Sequence, residues 1–343
     1  MKTRAALILI ALACSAAIGF AQEGDVAKTG TVAAPFLEIP VGAPAIGMGG
    51  AFVSLATDAT SLYWNPAGAA NLATNEVVAQ HTRWIAETKF DFAALVLPLG
   101  SFGTLGFSFT SLSMPDMKVR TVELPEGTGE YFTAGDLAVG VSYARQLSDR
   151  FSIGFTGKYI QETIWHESAN AIAIDVGTTF RTDLIGGLTI GATIMNFGTT
   201  MQMSGRDTRQ FIRVDPTKEG SNGQIPTNIE LNSWDLPLLI QIGISTTPVN
   251  TDNYRWTLAV DAMHPSDDYK SMNVGTEFAY QKFLFVRGGY NSLFLKTKEG
   301  GLSFGVGVAS TPLFEGVTVR FDYAYRDMGR LENIQVLSLG VLF

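Results

Sequence analysis

The chain has 343 residues, a net charge of −8, three His and one Cys. The mild acidity and the lack of a basic cluster exclude a nucleic-acid binder. Scattered His81, His166 and His264 offer no metal-ligand spacing, so no metal or other cofactor is expected.

Residues 1–21 read as a secretory signal peptide. Lys2 and Arg4 precede an apolar run from Ala5 to Phe20, and Gly19-Phe20-Ala21 is a small-x-small cleavage site. A lipoprotein signal ending at Cys14 competes, but Ala11-Leu12-Ala13-Cys14 lacks the usual Leu at its first position. Cleavage after Ala21 leaves no Cys, which excludes disulfides and thiol chemistry. Beyond residue 21 no apolar run reaches the ~18 residues of a spanning helix. An exported chain of this kind is either soluble in the periplasm or a barrel in an outer membrane.

Residues 22–75 have neither a helical period nor strict alternation, and are expected to form a compact plug inside the rest of the chain. Gly42, Gly47, Gly49, Gly50 and Gly68 allow tight turns and close backbone approach. Asp58 is placed to cap a short helix starting at Ala59, and Asn65-Pro66 to stop it. Pro66 suits the first turn of a second short helix, through Ala67–Asn71 and so including Gly68. The Asn65 amide, with donors and acceptors, is expected to satisfy backbone groups of the glycine-rich turn. Tyr63 and Trp64 are expected to anchor the segment, each needing a partner for its polar end. Gly47-x-Gly49-Gly50 also resembles a dinucleotide-binding loop, but Pro40 and Pro44 spoil the strand that should precede one.

Two blocks in this segment resemble a known signature. Gly42-Ala43-Pro44-Ala45-Ile46-Gly47-Met48-Gly49-Gly50-Ala51-Phe52-Val53 is similar to the glycine-rich block of the PorV/PorQ family of outer-membrane proteins. Asp58-Ala59-Thr60-Ser61-Leu62-Tyr63-Trp64-Asn65-Pro66-Ala67-Gly68 is similar to its second block. Pro44 stands where the family often has Arg, and Ala69 where it often has Leu. Asn65-Pro66-Ala67 is shared with FadL-type transporters, where it lies in an N-terminal plug. The PorV resemblance implies a type IX secretion component whose barrel receives secreted cargo proteins and passes them to the surface attachment machinery. The FadL resemblance implies a passive channel for long-chain fatty acids or other hydrophobic small molecules, which leave sideways through the wall.

From Glu76 onward the period is two. Leu137, Val139, Val141 and Tyr143 alternate with Ala138, Gly140, Ser142 and Ala144; Ile172, Ile174 and Val176 alternate with Ala173, Asp175 and Gly177. Soluble sandwiches alternate too. Here the segments approach the ~9–11 residues of a tilted membrane strand. Aromatics also gather near segment ends as girdles would: Trp84, Phe151, Trp165, Tyr254, Trp256, Tyr280, Phe283, Tyr325 and Phe343. Fourteen strands are predicted over residues 76–343: 76–86, 90–98, 103–114, 131–146, 151–165, 169–181, 188–198, 236–247, 254–264, 269–280, 283–291, 301–310, 317–326 and 334–343. The even count fits an all-β, antiparallel transmembrane outer-membrane barrel. Connections after even-numbered strands are short, whereas the two longest, 115–130 and 199–235, follow odd-numbered ones. Since periplasmic turns are short and external loops long, strand 1 runs outward and both barrel ends lie in the periplasm. The last strand alternates into Phe343, which resembles the signal read by the barrel-assembly machinery. Loop 199–235, with Arg206, Asp207, Arg209, Arg213, Asp215, Lys218 and Glu219, reads as a surface loop.

The inward polar set is Lys158, Glu162, Asp175, Arg181, Arg255, Asp261, Glu277, Arg287, Arg320, Asp322 and Arg326. Its mixed signs point to a solvated, mutually paired wall rather than an ion-selective ring. No nucleophile elbow, P-loop or paired-carboxylate motif is present, so no catalytic residue is assigned.

Overall fold

The computed structural model describes residues 28–184, 187–215, 217, 224–295, 300–310 and 316–343. The signal peptide and its cleavage site lie outside the described residues, as do Lys218 and Glu219 of the long loop.

Fourteen strands form the wall: β1 Glu76–Arg83, β2 Lys89–Pro98, β3 Thr104–Ser113, β4 Ala134–Ser148, β5 Phe151–Ile164, β6 Glu167–Thr182 and β7 Leu188–Gly198. They continue as β8 Leu239–Asn250, β9 Tyr254–Pro265, β10 Ser271–Tyr280, β11 Leu284–Leu293, β12 Leu302–Ala309, β13 Thr318–Asp327 and β14 Asn333–Leu342. Each is antiparallel to its sequence neighbour, and β14 returns to β1 with Glu76 opposite Leu342, closing the barrel. Every predicted segment is a strand, with ends moved by a few residues. Side-chain alternation is the cause. On β6, Ile172 and Ile174 are 63% and 50% exposed, while Ala173 and Asp175 between them are each 1% exposed. The apolar set turns out to lipid and the small or polar set turns in.

Both long connections carry extra pairing: Met117–Lys118 with Tyr131–Phe132, and Arg209–Ile212 with Ile225–Asn228. Trp84, expected in a girdle, instead turns inward and packs near Ile46, Ile334 and Val336. It follows outward Arg83 by one residue, and the period of two sends it to the other face.

The barrel is filled by residues 33–71. Two 3₁₀ turns (Pro35–Glu38 and Pro66–Asn71) and two single-turn helices (Ala43–Gly47 and Ser61–Trp64) make up its regular structure. Val41, Ala45, Ala51 and Val53 are fully buried. The wall accepts this segment through inward glycines. A Cβ at Gly289 would lie 2.2 Å from the Met48 carbonyl carbon, at Gly191 2.5 Å from the Val53 oxygen, and at Gly154 2.4 Å from the Pro66 carbonyl carbon. Only glycine lets two backbones come that close. The wet interior expected from sequence is therefore corrected: the wall's small residues make room for protein, not water.

Candidate functional site: the occupied lumen

Asn65 is fully buried. Its Nδ2 donates to the Val53 carbonyl and to the Thr178 carbonyl of β6, both at 3.0 Å. Its Oδ1 accepts from the Ala67 N–H at 3.2 Å and caps the turn that Pro66 opens. One amide therefore joins the two motif blocks to each other and to the wall. Trp64 donates from Nε1 to the Val41 carbonyl at 2.7 Å, and the Tyr63 hydroxyl donates to the Leu37 carbonyl at 3.2 Å. Burial pushes the Tyr63 phenol pKa up, with the carboxylates of Glu38 and Asp175 adding to it.

Gly42, Gly49 and Gly50 hold positive φ angles of 86°, 68° and 78°, the turn geometry expected of them. Gly47 packs on Gly305, and Gly68 fits against the Ala56 carbonyl. Asp58 caps a turn, its Oδ1 accepting from the Thr60 N–H at 2.9 Å, but the helix begins at Ser61 rather than Ala59. Its other oxygen pairs with Arg320, which lies 2.7 Å away on β13.

That contact ends a chain of alternating charges around the inner wall. Arg255 reaches Glu277 at 2.8 Å, Glu277 reaches Arg287 at 2.8 Å, and Arg287 reaches Asp322 at 2.6 Å. Asp322 then meets Arg320 at 2.9 Å. Arg287 and Asp322 are almost fully buried, so the mutual pairing read from sequence is present, but its solvation is not. Exclusion of water by the inner segment is the physical reason.

The remaining inward groups serve the same segment. Asp261 is fully buried and its Oδ2 accepts from the Phe52 and Val53 N–H groups at 2.7 and 2.9 Å. Glu162 accepts from the Ala34 N–H at 3.0 Å. Lys158 pairs with Asp175 at 2.9 Å, and Asp175 accepts from the N–H of Asn196, where β7 bulges against β6. Arg326 has its Nε buried without a hydrogen bond among the described residues. Arg181 lies apart from the others, exposed at the end of β6. Beside Lys158 and Asp175, Leu62 and Tyr63 border a cavity of about 20 Å³, room for roughly one water.

Sequence reasoning missed Glu76, Gln80 and Ser338. Ala59 N–H donates to Glu76 at 3.1 Å, Ala43 N–H to Ser338 at 2.9 Å, and Gly42 N–H to Gln80. All three occupy the inward parity of β1 or β14, a signal readable from the alternation. It also missed Glu38, whose carboxyl faces Asp267 and Asp268 of the β9–β10 connection.

A match to the family described as Type IX secretion system protein PorV spans residues 21–234, more than half of the chain. The protein belongs to this family. The PorV match takes in the whole inner segment and β1–β7, and ends within the long loop before β8. Among solved structures, the chain is similar to a Pseudomonas aeruginosa FadL homologue at 10% identity and TM-score 0.51, covering 89% of this chain and 98% of that one. It is similar to the monoaromatic hydrocarbon channel CymD at 13% identity and TM-score 0.54, covering 89% and 97%. The toluene transporter TodX of Pseudomonas putida gives 11% identity and TM-score 0.53, covering 88% and 97%. At such identities the likeness shows the fold alone, a FadL-like barrel. No curated protein matches the chain. A PorV-family chain folded as this barrel is an outer-membrane protein of a Gram-negative-type bacterium, in contact with outer-membrane lipid.

Proposed function

We propose that this PorV-family barrel works in type IX secretion by binding secreted cargo proteins at its external face and handing them on, without catalysing a reaction. The observation that carries this reading is the PorV match, which covers the inner segment together with half the wall. Two features of the fold support it. Among the described residues the chain's own backbone packs against the inner wall, and the cavity beside Leu62 and Tyr63, of about 20 Å³, is too small for a fatty acid. The hairpin of Arg209–Ile212 and Ile225–Asn228 exposes Phe211 and Val214, 67% and 65% accessible, beyond the end of the wall. An apolar protein ligand would cover such side chains. The FadL-type reading, uptake of a hydrophobic compound, needs the inner segment to shift, and the FadL-like neighbours support it through the fold alone. Recognition by the barrel-assembly machinery belongs to the same proposal. Strand β14 ends beside Phe343, which is half exposed and whose N–H donates to the Asn75 carbonyl at 3.0 Å.

The test is deletion of the gene in its own host, with surface display of type IX cargo measured before and after complementation. Cargo should stay inside the cell in the deletion and reach the surface again with the wild-type gene, but less so with Phe211→Ser. Wild-type display in the deletion strain would overturn the proposal.

A further inference from the structure

The lipid-facing wall is apolar along most of its girth, but β1 and β2 depart from this near their external ends. Outward positions on β1 are Val77, Ala79, His81 and Arg83. Register sets Arg83 opposite Lys89, His81 opposite Asp91, and Ala79 opposite Ala93 on β2. Among the outward positions of the described strands, no other directly opposed pair places two acidic or basic side chains together.

The two charged rows differ. His81 Nδ1 and Asp91 Oδ1 are 2.7 Å apart, with both side chains about half exposed, so this row is internally paired. Arg83 and Lys89 are both exposed, and no carboxylate among the described residues pairs with either. Glu87, in the turn that joins the strands, is exposed and makes no ion pair with them. Like charges directly opposite in an antiparallel pair repel and destabilise it. An anion seated between them reverses that sign. Opposed side chains start only ~4.5–5.5 Å apart at Cβ, so both cations reach one oxyanion with charge-assisted hydrogen bonds.

The surroundings say which anion. Gln335 on β14 and Ser113 on β3 flank the cationic row and add polar hydrogen-bonding groups. Towards the membrane interior comes first the self-paired His81–Asp91 row and then Ala79 and Ala93, set between Leu339 and Phe109. Two methyl groups between larger neighbours make a shallow apolar strip leading down from the charges. The external ends of β1 and β2 stand at the same barrel end as the two long loops, hence at the outer leaflet. We propose that Arg83 and Lys89 bind the phosphate of an outer-leaflet lipid headgroup, with an acyl chain lying along the Ala79–Ala93 strip. A free anion or a phosphorylated protein would leave that strip unused.

Native mass spectrometry of the full chain in detergent tests this, with diphosphorylated lipid A, its dephosphorylated form and inorganic phosphate as probes. Wild type and Arg145→Gln, a control cation at the opposite end of the wall, should retain diphosphorylated lipid A. The double variant R83Q/K89Q should lose it at least tenfold. Dephosphorylated lipid should bind wild type and the double variant alike. Equal retention of diphosphorylated lipid A by wild type and R83Q/K89Q overturns the proposal. So does displacement of the lipid from wild type by millimolar inorganic phosphate, which would mark a soluble-anion site. Heat-modified gel mobility confirms that each variant is folded, and Lys89→Gln alone, expected to weaken retention partly, stands in if the double variant is not.

Discussion

The Asn65 amide donates to the Val53 carbonyl at 3.0 Å, tying the end of one motif block to the last turn of the other. The same nitrogen reaches the Thr178 carbonyl, so the tie is anchored on β6. Asn65→Ala leaves buried backbone groups at Val53 and Ala67 unpaired, a cost of about 1–3 kcal/mol. The wall keeps its own ladder, so heat-modified mobility should be unchanged. The inner segment should loosen, and planar-bilayer recordings should show larger or noisier conductance. Wild-type conductance would reduce Asn65 to an ordinary turn residue.

Arg287 bridges Glu277 and Asp322 at 2.8 and 2.6 Å in almost complete burial. Removing one partner of a buried pair leaves an uncompensated charge. Arg287→Ala is therefore expected to cost about 3–5 kcal/mol. Urea unfolding in detergent micelles, followed by tryptophan fluorescence, measures it. A midpoint equal to that of wild type would show that Arg255 and Arg320 already neutralise both carboxylates.

Ile174 and Ala173 separate the two faces of β6. Ile174→Arg puts a cation on the lipid face and should cost about 2–4 kcal/mol near the midplane. From sequence, Ala173→Arg looks cheaper, because the lumen reads as wet. In the structure Ala173 is 1% exposed and sits directly opposite Lys158. A second cation there is buried beside a like charge, so Ala173→Arg is expected to be at least as damaging. The readouts differ: Ile174→Arg should lower folding yield in lipid vesicles, whereas Ala173→Arg should expose the inner segment to protease. Protease resistance in Ala173→Arg would restore the wet-lumen view.

The wall was legible because a period of two is local: each strand declares its faces without knowing its partners. The parity of long and short connections then set its direction. The inner segment was legible in outline, because its glycines and Asn65-Pro66 carry turn chemistry in their own sequence. Dryness was not legible, since it depends on contacts across the chain, such as Asp58 with Arg320. Gly154, Gly191 and Gly289 show the same limit. As inward glycines they look like the small face of any barrel, and their purpose emerges only when Pro66, Val53 and Met48 arrive against them.

Glu38 gives the outer part of the inner segment a pH dependence. Burial raises its pKa from 4.5 to about 7, helped by the negative charges of Asp267 and Asp268 and by a hydrogen bond with Asp267. Burial raises Asp267 as well. Between these limits the folded state holds a proton that the unfolded chain has given up, so stability falls as pH rises. The contribution is whole below pH 4.5 and is lost as pH passes through about 7. Proteolysis of the N-terminal segment should accordingly be slow at pH 5 and faster at pH 8. Glu38→Gln keeps a hydrogen-bonding amide without the charge, and should hold the slow rate at both values. If wild type and Glu38→Gln show the same pH profile, the Glu38 carboxyl is not the group that titrates.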